Sequence, residues 1–237
     1  MIGERVAETA LPVVPVVPTE DAGATVASGR RAPSTKIVND CRVVLHRVEG
    51  ERLTSLGITS PRHGDGRSTL ARSMALIERR DYGRRTVLLE LDVEAASMSA
   101  ELGLQPGPGI VELLHGEAEV EDCLQWLDGD LAVITRGERV ESPGWVIGHL
   151  QGSGLWHRLR WHADVVVADL PPLLDSSVGP QAAALMETQL LVVRAGRTSV
   201  AEAVRAAATL PEPPCVVLNG QHSKIPRWIR RSVGDVV

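Results

Sequence analysis

The stretch Leu56–Arg72, LGITSPRHGDGRSTLAR, decides how the rest of the chain is read. Leu56–Thr59 reads as a short apolar strand and Ser60–Arg67 as a glycine-bearing loop. A helix then opens on Ser68 and Thr69, with Leu70, Met74 and Ile77 at helical spacing along one face. A loop that curls round a polyphosphate needs glycines, so that the backbone can turn sharply, and a helix N-terminus, whose free N–H groups and dipole face negative charge. It also needs a hydroxyl for Mg²⁺ and a cation for the outer phosphates. Gly64, Gly66, Ser68, Thr69 and Arg67 supply these, with His63 and Asp65 inside the loop as further candidate contacts. Two positions are irregular: the cation is Arg67 rather than lysine, and Pro61 stands where the motif's first glycine would fall. A strand, a glycine loop and a Ser/Thr-capped helix also make an ordinary α/β connection, so the downstream sequence must decide.

Downstream, short apolar runs alternate with helical patterns. Thr86–Asp92 (TVLLELD), Leu131–Thr135 (LAVIT), Asp164–Leu170 (DVVVADL), Gln189–Arg194 (QLLVVR) and Pro214–Asn219 (PCVVLN) have the composition of strands covered on both faces. Helices are expected over 36–50, from the loop to about Tyr82, over the short IVELLHG segment ended by Gly116, and over Val146–Trp161, where three glycines strain continuity. Val200, Ala203, Val204 and Ala207 form another helical stripe. The alternation predicts an α/β fold: a doubly wound, mostly parallel sheet with helices on both faces, spanning 36–220. Residues 1–35, punctuated by Pro12, Pro15 and Pro18, read as a disordered tail, and 221–237 as a basic tail in which Lys224–Arg231 could pack on the domain edge or rest on a membrane or partner.

Among the 237 residues, 43% are hydrophobic and 23% charged, values usual for a globular domain, and the net charge of −5 gives no reason to expect nucleic-acid binding. With no Phe and one Tyr, the core must come from Val, Leu, Ile and Ala. Cys41, Cys123 and Cys215 form no metal or redox spacing and read as buried thiols. No apolar run is long enough to span a bilayer and no signal peptide opens the chain, so a cytoplasmic location is expected.

In a parallel sheet of this kind ligands sit at the carboxyl ends of the strands. Glu90, Asp92 and Asp169 all fall there, with the loop after the first strand. Mg²⁺ takes oxygen ligands and keeps several waters, so Ser68, Asp169 and Asp92 are its candidate ligands. Arg67, Glu90, Asp92 and Asp169 are the candidate catalytic groups.

Taken together, these segments resemble the bacterial tyrosine kinases of capsule and exopolysaccharide biosynthesis (BY-kinases), within the MinD/ParA-like P-loop ATPases of the SIMIBI type. TSPRHGDGRSTLA is similar to their Walker A, VLLELD to Walker A′, and DVVVADLPPLL to Walker B. PGIVELLHGE, LLVVRAGRTS and CVVLN are similar to later segments, and the likeness covers about residues 37–220. It implies ATP or ADP with Mg²⁺ as cofactors, a homo-oligomer, and Asn219 near the adenine base. It also implies a membrane-embedded polysaccharide chain-length regulator or export protein as partner, bringing the chain to the inner face of the membrane. The departures are Arg67 for lysine, Glu90 for aspartate, Glu94 for a basic residue, and only Arg42 surviving of an upstream ExxRxxR helix. The family's C-terminal tyrosine cluster is missing, since the single tyrosine is Tyr82. These changes predict nucleotide binding with weak or absent phosphotransfer. The alternatives are a non-catalytic scaffold with a vestigial site and a MinD/ParA-type positioning ATPase.

Overall fold

The computed structural model describes residues 13–15, 35–48, 53–127 and 131–220. Its strands are β1 (Val13–Pro15), β2 (Ser55–Thr59), β3 (Thr86–Glu90), β4 (Gln125–Leu127), β5 (Leu131–Ile134), β6 (Val165–Asp169), β7 (Thr188–Arg194) and β8 (Cys215–Asn219). They form one sheet in the order β1-β8-β7-β2-β6-β3-β5-β4, parallel except where β4 pairs antiparallel with β5. The α/β architecture expected from the alternating pattern is therefore present.

Helices α1 (Thr35–Val48) and α2 (Arg67–Arg80) cover one face, where Leu56, Ile58, Leu88, Val167, Leu190 and Val192 meet Val44, Leu45, Met74 and Ile77. The other face buries Val87, Leu89, Val166, Ala168, Leu191 and Val193 under α4 (Ile110–His115), α6 (Pro143–Gly152) and α7 (Leu155–His162). Neighbouring strand residues thus point to opposite cores, which is why their sequences read as unbroken apolar runs. Arg42 of the surviving family motif pairs with Asp81 at 2.6 Å, fastening α1 to the end of α2. Cys41 and Cys123 are buried free thiols, while Cys215 is half-buried.

Several expectations need correction. The helix expected over Val146–Trp161 is two helices, α6 and α7, broken at Ser153 and at Gly154 with its φ of 63°. Ser142 caps α6 by accepting a hydrogen bond from the Trp145 amide, so that helix begins earlier than periodicity suggested. Within the stretch expected to be a disordered tail, Val13–Pro15 pairs in parallel with β8, where its backbone satisfies the sheet edge. The remainder of that tail, and the basic segment Lys224–Arg231, lie outside the described residues. The short helices α3 (Met98–Leu102), α5 (Val120–Cys123) and α8 (Gly179–Ala183) were not expected, being too short to show a period. On α9 (Val200–Ala207), Val200 and Val204 face outward, and Ala206 is the buried contact.

Helix α4 docks by the residue that caps its start, Gly109. A Cβ on Gly109 would lie 2.3 Å from the Gly137 nitrogen and 2.3 Å from the Thr135 oxygen, both backbone atoms that cannot move aside. Gly109→Ala should therefore destabilise the fold by about 1–3 kcal/mol or more, read as a lowered urea midpoint; an unchanged midpoint would mean that α4 is free to back away.

Candidate functional site

The sheet order sets the site. At the carboxyl ends, β8, β7, β2, β6 and β3 present in turn Asn219, Arg194, the loop 60–66, Asp169 and Glu90. Register places Glu90 opposite Asp169 and Arg194 opposite Asn219. The amides of Leu91 and Asp92 both donate to the Asp169 carbonyl, at 2.9 and 3.2 Å, which draws Asp92 in beside Asp169. A cavity of about 390 Å³ opens here, lined by His63, Gly64, Gly66, Arg67, Ser68 and Thr69 on one side and by Glu90, Asp92, Asp169 and Arg194 on others. Every residue singled out from the sequence except Asp65 and Asn219 borders it.

Helix α2 begins at this cavity with no side-chain cap on its first turn. Gly66 precedes it at a φ of 100°, a left-handed conformation open to glycine, and a Cβ there would lie 2.2 Å from the Asn219 side-chain nitrogen. The helix's first amides thus remain available to an anion.

The acids behind the loop have three different fates. Asp169 is buried; its carboxyl is pushed up to about 7 by burial, against the opposing pull of the Arg67 charge and a hydrogen bond from Ser68. Its Oδ1 has no partner. Asp92 is held by Arg67, whose Nη2 donates to Oδ2 at 2.6 Å while Nη1 donates to the Leu170 carbonyl at 2.7 Å, both within the protein interior. Glu90 accepts from the Met98 amide at 2.8 Å through one oxygen and from the Arg136 amide at 2.9 Å through the other. Burial pushes the Glu90 carboxyl up, and those two amides offset part of the rise. Glu90 is therefore a brace between β3, α3 and the segment after β5, although it borders the cavity.

The three expected ligands of a divalent ion, Ser68, Asp169 and Asp92, all border the cavity. Ser68 and the unpartnered Oδ1 of Asp169 form a hydroxyl–carboxylate pair of the kind Mg²⁺ accepts. Asp92 commits Oδ2 to Arg67, and its Oδ1, which accepts only from the Ala95 amide at 3.4 Å, is the oxygen it could offer to an ion. Among the described residues no three His, Cys, Asp or Glu side chains converge as a preformed metal centre. An ion would then have to complete its shell with oxygens of its own ligand and water.

Other residues hold the loop from outside. Asp65 turns away from the cavity, is buried, and accepts from the Thr198 hydroxyl at 2.9 Å. Asn219 donates to the Asp65 carbonyl at 2.8 Å, so its side chain braces the loop. His63 is exposed and its amide donates to Asp175 at 3.1 Å. Arg62 bridges Asp175 at 2.6 Å and Glu202 at 2.7 Å. Arg194 and Arg197 both donate to the Gly64 carbonyl, at 3.0 and 3.3 Å. Reading for phosphate ligands missed Arg62, Asp175, Arg194, Arg197 and Glu202. The signal available was the pair of arginines in RAGRTS at the carboxyl end of a strand.

The raised Asp169 carboxyl links stability to pH. Below about 4 it is protonated folded and unfolded alike; between there and about 7 only the folded form keeps the proton, so stability declines as pH rises through that window. Asp169→Asn abolishes this term. The variant should gain several degrees in Tm over wild type at pH 8 and distinctly less at pH 5; an equal difference at both would show that Asp169 ionises normally.

No family model matches the chain. It is 23% identical over 163 residues to the tyrosine-protein kinase ptk of Acinetobacter johnsonii, a match covering 68% of this chain and 22% of that one. It is 23% identical over 160 residues to the tyrosine-protein kinase YwqD of Bacillus subtilis, covering 67% of each. The chain thus spans about a fifth of the first relative's length and two thirds of the second's. Among solved structures, the kinase domain of the Escherichia coli tyrosine kinase ETK superposes with a TM-score of 0.71 at 22% identity, over 80% of this chain and 76% of that one. The septum site-determining protein MinD of Pyrococcus horikoshii, complexed with Mg-ADP, superposes at 0.58 and 18% identity over 78% of each. The chain is a distant homologue of the bacterial tyrosine kinases, with the fold of the MinD/ParA-like P-loop ATPases.

Proposed function

We propose that this chain binds ATP or ADP with Mg²⁺ and transfers phosphate weakly or not at all. The observation that carries the binding half is the uncapped start of α2, opening into a cavity where Ser68 lies against a buried carboxylate with one unpartnered oxygen. Backbone amides dominate such a cradle and do not depend on the side chain at position 67.

The weak-transfer half rests on Arg67 and Glu90. A lysine at position 67 could extend to the outer phosphates as a compact charge, whereas the planar guanidinium is committed to two acceptors at once. One oxygen of Asp92 is thereby occupied, and both oxygens of Glu90 serve amides. Transfer depends on groups aimed within about 1 Å, and misplacement on that scale costs roughly 10²-fold. Tyr82, partly exposed, follows the far end of α2, whose 14 residues place it about 20 Å along the helix from the loop. Any other tyrosine acceptor would have to lie outside these 237 residues. By likeness to its relatives the protein would act in polysaccharide production beside a membrane-embedded regulator; no helix among the described residues is long and apolar enough to cross a membrane itself.

Calorimetric titration with ATP and ADP in Mg²⁺ should give micromolar binding, with turnover of ATP at least 10²-fold below that of Arg67→Lys. Absent binding removes the cradle. Rapid turnover by wild type removes the claim of impaired transfer.

A further inference from the structure

Four arginines surround the loop, and their partners divide them. Arg62 is neutralised by Asp175 and Glu202, and Arg67 by Asp92. Among the described residues, neither Arg194 nor Arg197 has a carboxylate within ion-pairing distance; each hydrogen-bonds the loop through the Gly64 carbonyl. Of these two, Arg194 also borders the cavity that holds Ser68 and Asp169. A guanidinium carries five N–H donors, so a single bond to Gly64 leaves most of its donors and its full charge available.

We infer that Arg194, flanked by Arg197, is the cation that meets the outer phosphates of the bound nucleotide, in the role that Arg67 has given up. The inference rests on the nucleotide-binding reading above and adds the residue that discriminates by phosphate number. The β7–α9 turn is suited to this. Its backbone is fixed by the Arg197 and Thr198 amides donating to the Arg194 carbonyl at 3.2 and 2.9 Å. Its position is fixed by Thr198 on Asp65 and by Asn219 on the loop, so Arg194 is presented from a rigid strand end. A polyphosphate arriving at α2 would bring several negative charges toward the buried acids Asp92 and Asp169. With Arg67 already paired, the net charge of the inner wall repels it unless another cation contributes. Arg194, exposed at the end of β7 and bordering the same cavity, provides that charge without disturbing the buried pair.

The test is the affinity series ATP, ADP, AMP for wild type, Arg194→Gln and Arg194→Lys, at several salt concentrations. Glutamine removes the charge and, being two atoms shorter, also the Nη1 bond to the Gly64 carbonyl, a loss of bracing that would weaken ATP and AMP alike. Arg194→Gln should lose about tenfold more in ATP affinity than in AMP affinity, and its dependence on salt should flatten by about one charge, while Arg194→Lys retains most of the ATP preference. Arg194→Gln matching wild type for ATP with an unchanged salt slope overturns the inference while leaving nucleotide binding intact. An equal loss for ATP and AMP also overturns it, by assigning Arg194 to bracing alone. Failure of wild type to bind any member of the series overturns both the inference and the reading beneath it. Arg197→Gln, scored the same way, should show a smaller loss in the same direction.

Discussion

The buried contact between Arg67 and Asp92 is the constraint on which the site depends. Taking a guanidinium and a carboxylate out of water costs several kcal/mol each, and only close, saturated geometry offsets it. The structure meets that demand with two short bonds, to Asp92 and to the Leu170 carbonyl. Those bonds join the first residue of α2 to the ends of β3 and β6, three elements that are distant in sequence. They also place positive charge beside Asp169, whose carboxyl would otherwise rise further under burial. Loss of either partner would leave an uncompensated ion in the interior, so the pair is difficult to change one residue at a time.

Around that centre the loop is shaped from outside. Asp175, Glu202, Thr198, Asn219, Arg194 and Arg197 each bind a loop side chain or backbone group. Gly64 and Gly66 are needed first for their φ of 80° and 100°, and a Cβ would also lie 2.7 Å from an Arg197 nitrogen at one and 2.2 Å from Asn219 at the other. A loop braced this way by the chain itself has less curvature to acquire on binding, which lowers the ordering cost. The glycines therefore serve two purposes, allowing left-handed backbone and admitting neighbouring side chains.

Much of this was legible in the sequence because it follows from period and composition. β-rich apolar runs with acids at their ends announced a parallel sheet and the edge of it that bears the site, and LGITSPRHGDGRSTLAR announced the loop and its helix. What stayed hidden depends on direction rather than identity. Nothing in the order of residues says that Asp65 turns outward to Thr198, that Asn219 reaches the loop backbone, or that Glu90 bends to two amides. Likewise Val200 and Val204 have helical spacing, yet which side of α9 faces the core is fixed by its packing on the sheet. The short β4 and α3 carry too few residues for any period to emerge.

The substitutions at positions 67 and 90 form one physical unit. A carboxylate at the end of β3 with one methylene fewer would not reach both the Met98 and Arg136 amides, and would stay nearer Asp92 and Asp169 in the same crowded interior. The longer Glu90 instead sends its charge toward amide donors on α3 and after β5. Asp92 then pairs with Arg67, whose fork serves Asp92 and the Leu170 carbonyl together. The length of one side chain and the shape of the other are thus matched. The result is an interior in which Arg67 is spent on Asp92, and a cavity whose positive charge for a ligand comes from Arg194 at the end of β7.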